Sequence, residues 1–570
     1  MYLRTTKRRN KDGSVVEYYQ LAHNERHPET NVPTQRIIHN FGRADQQDQD
    51  SLIRLCRSIA RVCGVEVLVP SDTDNESSQE GAGLPEGMEF IGTVELGTVV
   101  AIEALWERLG LGSIIREIAR KSSCTVPYER ALLAMTANRL CEPESKLGVW
   151  DRWLAKVHLP SCQDLKLAQM YEAMDLLHTH SDEIEKSVFF NLADLFNLEV
   201  DIVFYDTTTA TFTIDEEDED DIEEDGDVGL RKFGLPKEGG WSVQVVVALA
   251  VTREGLPVRS WVFPGNTTDV TTIEKVKSDL KGWKLGRALF VADAGMNSED
   301  NRKELAKACG KYLLATRMAS VKEIKEEVLV RPGRYKILSE NLHAKEVVVG
   351  DGVLQRRYIL CFNPKEAKRE KKHRKQIVKQ LEEELRRHPD KTATAQWAVH
   401  LKASKRYGRY LKITERNELK IDRDTIRKAA RFDGKWVIQT NDDTITVEEA
   451  GFGYKSLLII ERCFRSLKKT GIKMSPMFHR LSERVEAHVK ICVLALLIER
   501  VAELTCEQPW PRVREILRTL QTSKYHTENF QFFQRNLPTS EVSEVYEKLE
   551  IPLPKRVCNV SSHPDPVKKL

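Results

Sequence analysis

No CxxC pair occurs anywhere in the 570 residues, and the eleven cysteines are scattered, some inside apolar helical patterns (Cys463, Cys492). A zinc ribbon and a disulfide framework are therefore excluded as organising devices, and the odd count fits reduced, structural thiols. Long hydrophobic runs are missing too. The longest, Ile491–Ile498, falls well short of the ~20 residues that a membrane span needs, so no membrane association is expected. The opening residues, MYLRTTKRRNKDG, lack the apolar core of a signal peptide, which leads to the expectation of a soluble, cytoplasmic protein. No Gly-rich phosphate loop follows any strand-like segment, which removes kinase-like and nucleotide-binding readings.

What is present is length and charge asymmetry. A chain of 570 residues exceeds one ordinary domain and suggests three or four units. Residues 215–227, DEEDEDDIEEDGD, hold eleven acids and no base; without them the formal net charge of +2 becomes +13. A polyanion would meet that basic remainder. The acidic run cannot build a core and would repel DNA phosphate, so a disordered loop is expected there rather than a metal site.

In order, the pattern divides as follows. Residues 1–68 read as a β-hairpin module followed by a helix at about Gln47–Cys63, with Lys7, Arg8, Arg9, Lys11 and Arg36 available to touch DNA. A polar linker occupies 69–89. Residues 90–198 carry apolar residues at three- and four-residue spacing and read as a helical domain. Strands and helices then alternate over 199–318, giving a mixed α/β sheet. Residues 319–447 form a β-rich insertion around a charged helix, 364–387, and ATAQWAVHL within it reads as a strand. Residues 448–505 return to helix, and 506–570 read as a C-terminal helical region with a disordered tail.

Two of the strands carry the chemical signal. DIVFYD ends in Asp206 and RALFVADAG delivers Asp293; a strand end is where a sheet presents side chains to a crevice. Two carboxylates held there without cations would repel each other unless a divalent ion neutralised them, and oxygen ligands point to Mg²⁺ or Mn²⁺. A third acid sits on YKSLLIIERCFRSLKK, read as a helix starting near Tyr454. Tyr454, Glu461 and Lys468, spaced by seven, form one stripe. Leu457, Ile460, Phe464 and Leu467 flank it on one side, Arg462 and Arg465 on the other.

The order YDTTTATF, LFVADAGMNS, long insertion, YKSLLIIERCFRSLKK resembles bacterial insertion-sequence transposases of the DDE type, in the IS4-like superfamily with a Tyr–Arg–Glu–Lys (YREK) signature. The resemblance covers roughly residues 90–505, and EGLPVRSWVFPGNTTD and RVEAHVKICVLALLIER, with His488, add to it. It implies an RNase H-like catalytic core, α/β in class, interrupted by a mostly β insertion. It also implies Asp206, Asp293 and Glu461 as catalytic metal ligands for two Mg²⁺ or Mn²⁺ ions. Lys468 would contact phosphate and Tyr454 would position the strand. Leu457 stands at the signature's arginine place.

The implied activity is cleavage of the element's terminal inverted repeats and their joining to target DNA, by a homodimer in the bacterial cytoplasm or nucleoid. The best candidates for DNA-backbone contact elsewhere are Arg465, the cluster Lys368–Lys375, and Lys405, Arg406 and Arg409 within KASKRYGRYLK, where tyrosines interleave the bases. His488 reads as a buried helix histidine. Two alternatives remain at this level: a nuclease of the same fold without strand transfer, and a transposase-derived DNA-binding protein without catalysis.

Overall fold

The computed structural model describes residues 2–9, 15–26, 33–43 and 87–562, apart from 122–126, 199, 215, 220–228, 238, 284, 286–287, 353–354 and 389–391. The helix expected at Gln47–Cys63, most of the polar linker and the last eight residues lie outside the described residues. The chain forms two units, Met1–Pro85 and Glu86–Leu570.

In the first unit, β1 (Tyr2–Arg9), β2 (Val15–Arg26) and β3 (Pro33–Arg43) make an antiparallel sheet in the order β1-β2-β3. Val16 and Ala22, an even number of residues apart, are the buried face of β2. The basic segment read as a flank of the hairpin is itself a strand, and Lys7 lies opposite Glu17 and pairs with it at 2.8 Å.

The second unit opens with β4 (Met88–Glu95) and five helices: α1 (Gly97–Arg108), α2 (Leu111–Lys121), α3 (Tyr128–Cys141), α4 (Leu167–Thr179) and α5 (Ser181–Leu195). Then come β5 (Ile202–Thr211), β6 (Lys232–Gly234), β7 (Ser242–Val251), β8 (Pro257–Pro264), α6 (Ile273–Gly282), β9 (Leu289–Ala292), α7 (Glu299–Ala306) and β10 (Lys311–Thr316). The core sheet runs β8-β7-β5-β9-β10. β7 is antiparallel to β5 and to β8, whereas β5–β9 and β9–β10 are parallel. This mixed polarity fits the RNase H-like core. β7 is buried along almost its whole length, which is why SVQVVVALAV reads as a continuous apolar run instead of an alternating one.

The insertion does not stand apart from this sheet. β11 (Lys336–Ser339), β12 (Leu342–Val349) and β13 (Arg356–Phe362) follow β10, and β16 (Lys435–Thr440) pairs with both β13 and β10, so the same sheet extends to β11. Between β13 and β16 lies a small subdomain with its own core: α8 (Pro364–Arg387), α9 (Gln396–Ala403), the hairpin of β14 (Leu411–Ile413) and β15 (Leu419–Ile421), and α10 (Arg423–Ala430). The segment expected as a strand, ATAQWAVHL, is α9: Ala398 is buried, with Trp397 and Leu401 packed beside it four residues apart, a helical spacing. Of the acidic run, Asp218 takes a hydrogen bond from Arg231 Nε at 2.7 Å and Glu217 one from the Phe233 amide at 3.0 Å. These two residues lie in a loop held beside β6 by hydrogen bonds, which differs from the disorder expected there; 215 and 220–227 lie outside the described residues.

After β16 the chain forms α11 (Val447–Lys455), α12 (Leu458–Arg465), a π-helical turn at Ser466–Thr470, the long α13 (Ser482–Cys506) and α14 (Trp510–Leu517). The helix expected to begin near Tyr454 begins seven residues earlier. Thr446 Oγ1 accepts from the Glu449 amide at 3.1 Å and Glu449 returns the bond to the Thr446 amide at 2.8 Å, a capping box that fixes the start. It then breaks at Ser456–Leu457. The C-terminal region holds more than helix. β17 (Gln521–Thr527), β18 (Phe530–Arg535), α15 (Ser540–Lys548) and β19 (Val557–Ser562) follow, and the strands form a sheet β19-β18-β17-β4. Tyr525 stacks on Phe532 across that sheet, with ring centroids 5.5 Å apart.

Because the capping box fixes where α11 begins and hence where Tyr454 falls, Thr446→Ala is expected to cost about 1 kcal/mol of stability. Urea unfolding monitored by circular dichroism checks this; an unchanged midpoint would remove the box from the account.

Candidate active site

Strand periodicity decides where the acids point. Along β5, Ile202 and Phe204 belong to the core shared with α12 and α13, and Val203 and Tyr205 to the core on the other face. Along β9, Leu289 and Val291 face the first core, Phe290 and Ala292 the second. The period of two then sends Asp206 and Asp293 to the α12–α13 face. Since Tyr205 lies opposite Ala292 in the parallel pair, the two aspartates occupy the next register step, side by side.

Asp206 is not at the end of its strand, as the sequence suggested. β5 runs on to Thr211 because the β-branched TTTAT keeps pairing with β7, with Asp206 opposite Leu249. What stops at Tyr205 is the pairing with β9. Asp293, by contrast, does follow the last residue of β9.

The third wall comes from α11 and α12. Leu457, Ile460, Phe464 and Leu467 are buried while Glu461 is exposed, and α12 packs on β5 and β7. Tyr454 Oη donates to Asp293 Oδ1 at 3.1 Å. Its ionisation is pushed far up, first by burial, then by Asp293, and also by Asp206 and Glu461. Of the three acids, Asp293 is hydrogen-bonded to this hydroxyl, while Asp206 and Glu461 bear on it through charge. Lys468, in the π-helical turn, donates to Thr208 Oγ1 at 3.2 Å. Thr208 lies two residues beyond Asp206 and shares its face, so the Tyr454–Glu461–Lys468 stripe lies along the acids.

Burial is the largest cause holding the Asp206 carboxyl above the usual carboxylate range; Lys237 and the Thr207 amide pull the other way, and Asp293 adds to the rise. Lys237 is the residue that sequence reading missed. Its Nζ lies 3.4 Å from Asp206 Oδ1 and also donates to the Thr207 carbonyl. The only local signal was the turn-forming GLPKEGG, and nothing in it says that the loop folds back over β5. Asp269 accepts from Thr207 Oγ1 at 2.5 Å and anchors β5 to the entry of α6.

The donor set is oxygen only and matches a hard divalent cation. Among the described residues no group of three or more His, Cys, Asp or Glu side chains is drawn to metal-holding distance.

Other candidates fall elsewhere. Leu457 is 9% exposed and marks the junction of α11 and α12. Arg465 is exposed on α12. Lys405, Arg406 and Arg409 belong to the subdomain between β13 and β16. Arg406 donates to Gln380 Oε1 at 3.0 Å and covers Tyr407 at 5.2 Å, while Arg409 covers Tyr410 at 4.6 Å. Among the described residues no hydrogen bond or ion pair joins that loop to the acids. On α8, Ile377 and Leu381 are buried and Arg374 pairs with Asp433, leaving Lys368, Lys371, Lys372 and Lys375 exposed. His488 is 4% exposed, on α13.

Two outcomes follow. Leu457→Arg would put a guanidinium into the core and is expected to cost roughly 2 kcal/mol or more without improving activity, read from denaturant melts and a cleavage assay. For Asp206, a folded pKa above the unfolded value of 3.8 means more protons bound in the folded state. Stability is then greatest below that value and falls as pH rises through the window. Asp206→Asn, in buffer free of divalent ions, is expected to raise the melting temperature at pH 7, with the gain shrinking toward pH 4; a lower melting temperature at pH 7 would overturn the repulsion argument.

Residues 3–70 match the family described as IS1634 family transposase, N-terminal domain, and residues 231–498 match the Transposase DDE domain. The second match takes in Lys237, Asp293, Tyr454, Glu461 and Lys468 and begins after Asp206. No curated protein sequence matches the chain. Among solved structures it is similar to a piggyBac transposase synaptic complex with hairpin DNA, at 10% identity and a TM-score of 0.34 over 80% of this chain and 83% of that one, a likeness too loose to bear on fold or function. DDE transposase domains depend on divalent metal. The two family matches, in this order along one chain, make the protein an insertion-sequence transposase of the DDE type, an enzyme that cleaves DNA and transfers strands.

Proposed function

We propose that Asp206, Asp293 and Glu461 are the catalytic acids and that together they hold two Mg²⁺ or Mn²⁺ ions. The observation that carries this reading is the placement of Asp206 and Asp293 in neighbouring register on the sheet face beside α12, with the Tyr454 hydroxyl bonded to Asp293. When bound, such ions supply charge stabilisation at the phosphoryl oxygens and lower the pKa of the attacking hydroxyl. The chain's own groups do the positioning. Tyr454 keeps Asp293 oriented through its hydrogen bond and lies where a DNA strand crossing the acids would rest. Lys468, held at Thr208, is placed to meet a phosphate beside the scissile one, and Lys237 balances charge at Asp206. The Tyr454–Glu461–Lys468 spacing supports membership of the IS4-like superfamily with its YREK signature. At the arginine place, burial of Leu457 leaves Lys237 as the cation nearest Asp206 in that role.

The substrate in this reading is the element's terminal inverted repeats, joined to target DNA by a homodimer in the bacterial cytoplasm. In this reading the module at 1–68 and the helical domain at 90–198 precede, along the chain, a catalytic core split between 199–318 and 448–505. Arg465, Lys405, Arg406 and Arg409 are exposed cations available to DNA backbone.

Alanine at Asp206, Asp293 or Glu461 is expected to reduce Mg²⁺-dependent cleavage of element-end DNA at least ~1,000-fold, the several kcal/mol that metal-bound charge stabilisation supplies, while end binding persists. A second readout needs no turnover: Mg²⁺ should raise the melting temperature of the wild-type protein and not of Asp206→Asn. Full cleavage by any of the three alanine variants would sink the assignment of that residue.

A further inference from the structure

A second cavity, of about 550 Å³, lies away from the three acids, between the Pro143–Leu147 loop after α3, Tyr171 of α4, the segment Lys473–His479 and His488 of α13. Its walls are basic. Arg139 and Lys146 are 5% and 3% exposed, and Lys473 is exposed at the rim. Among the described residues none of these three pairs with a carboxylate. Glu144, the acid in the wall, is engaged with Arg152 at 2.6 Å, and Asp175 on the neighbouring helix is engaged with Arg484 at 3.0 Å.

The hydrogen bonds show how incomplete this cluster is. His488 Nε2 lies 2.9 Å from the Met474 carbonyl and so carries the proton, leaving Nδ1 to accept from Lys146 Nζ at 3.3 Å. That imidazole is neutral: burial and then Lys146 and Arg139 hold its pKa well below the ordinary value. Burial, then Arg139, likewise pulls Lys146 down to about 7. Arg139 donates to the Lys473 carbonyl at 3.1 Å and to the Glu144 carbonyl, but its Nε is buried without a partner, and so is Ser475 Oγ. Two buried cations, a neutral imidazole and an orphan hydroxyl around an open cavity lack one thing, an anion with several acceptor oxygens. Leaving buried cations unpaired is costly. A lysine and arginine serving structure alone would be expected to end on carboxylates, and here they end on a ring nitrogen and two carbonyls.

We infer that this cavity is a phosphate subsite that takes a backbone phosphodiester of the DNA on which the protein acts, with Arg139, Lys146, Lys473 and Ser475 as its donors. The volume exceeds that of a phosphate group, leaving room for the attached sugar. Phe478 and Leu147, 67% and 48% exposed, form an apolar lip on which a base can rest. The subsite and Glu461 share one stretch of chain: α12, the π-helical turn with Lys468, then Lys473 and His479. The inference depends on the protein being a DNA transposase and not on the metal assignment.

The test uses the full chain with two probes: sodium sulfate at constant ionic strength, which does not titrate near neutrality, and a fluorescein-labelled 20-base-pair duplex of arbitrary sequence. Sulfate is expected to raise the wild-type melting temperature, and Lys146→Met to abolish that rise without unfolding the protein. Lys473→Gln, at an exposed position that cannot compromise folding, should weaken it. Each variant is expected to bind the duplex about 3- to 10-fold more weakly at 0.1 M salt, and the slope of log affinity against log salt should fall by about 0.9, the value of one phosphate contact. Asp206→Asn should leave duplex affinity near wild type, so that loss of this subsite and loss of the metal site are told apart. Absence of sulfate protection in the wild type would overturn the inference. Sulfate protection lost in the variants with duplex affinity and salt slope unchanged would reduce the cavity to a small-anion site and overturn its assignment to DNA.

Discussion

Two carboxylates, side by side on parallel strands, set the terms for everything around them. The register Tyr205–Ala292 brings Asp206 and Asp293 to the next step on one face. Repulsion between such groups grows as water is excluded, and Asp206 is held above its ordinary range mainly by that exclusion. The protein offsets this only in part: Lys237 at 3.4 Å from Asp206 and the Tyr454 hydroxyl on Asp293. Glu461 on α12 then adds a third negative group. A structural site would have recruited an arginine to such a pair. On the proposed assignment, this shortage of positive charge is what a divalent cation would meet there.

The surrounding fold explains how that deficit is tolerated. Both faces of the core sheet are covered, one by α12, α13 and the N-terminal helices, the other by α6, α7 and the aromatic residues Tyr205, Trp261 and Phe290. The residue that precedes each acid (Tyr205, Ala292 and Ile460) is anchored in these cores, so a local electrostatic cost is spread over a large cooperative unit. The break at Ser456–Leu457 has a role here. On either side of the break, and with the π-helical turn at 466–470, Tyr454 reaches Asp293 and Lys468 reaches Thr208 on β5. Leu457 packs at that break, which accounts for an apolar residue where the family signature has arginine.

The parts of this that were legible in the sequence are those whose signal is local. Continuous β-branched runs exposed β5, β7 and β9, and the apolar spacing around Glu461 gave the face of α12. The heptad Tyr454–Glu461–Lys468 and the two strand-borne aspartates were sufficient to name three acids. Pairing between distant segments was not legible. β4 joins β17 across more than 420 residues, and β16 adds to β10 over the whole insertion, so a C-terminal sheet and an extended core sheet replaced expectations of helix and of a separate β-rich piece. Lys237 escaped for the same reason: its partner lies on a strand that ends before the acidic run begins. ATAQWAVHL misled because an alternation of small and apolar residues satisfies a strand and a short amphipathic helix equally, and only the packing of Ala398 beside Leu381 and Tyr410 decides it.

Charge is sorted in this molecule more sharply than its net value of +2 suggests. At one place three acids have Lys237 as a paired cation, 3.4 Å from Asp206; at another, among the described residues, Arg139 and Lys146 pair with no carboxylate. Had these groups faced each other they would have formed an ordinary buried ion-pair network, and the chain between them, from Glu461 through Lys468 to His479, is short enough that the separation is a matter of direction rather than distance along the sequence. α12 turns its acid toward β5, and the segment after the π-helical turn delivers Lys473, Ser475 and His479 to α3 and α13. A phosphodiester chain with bound divalent cations carries both complements at once, anionic oxygens for the basic cavity and positive charge for the acids. Keeping the two unsatisfied and apart costs stability in the free protein, and that same cost favours the DNA-bound state, in which both are satisfied together.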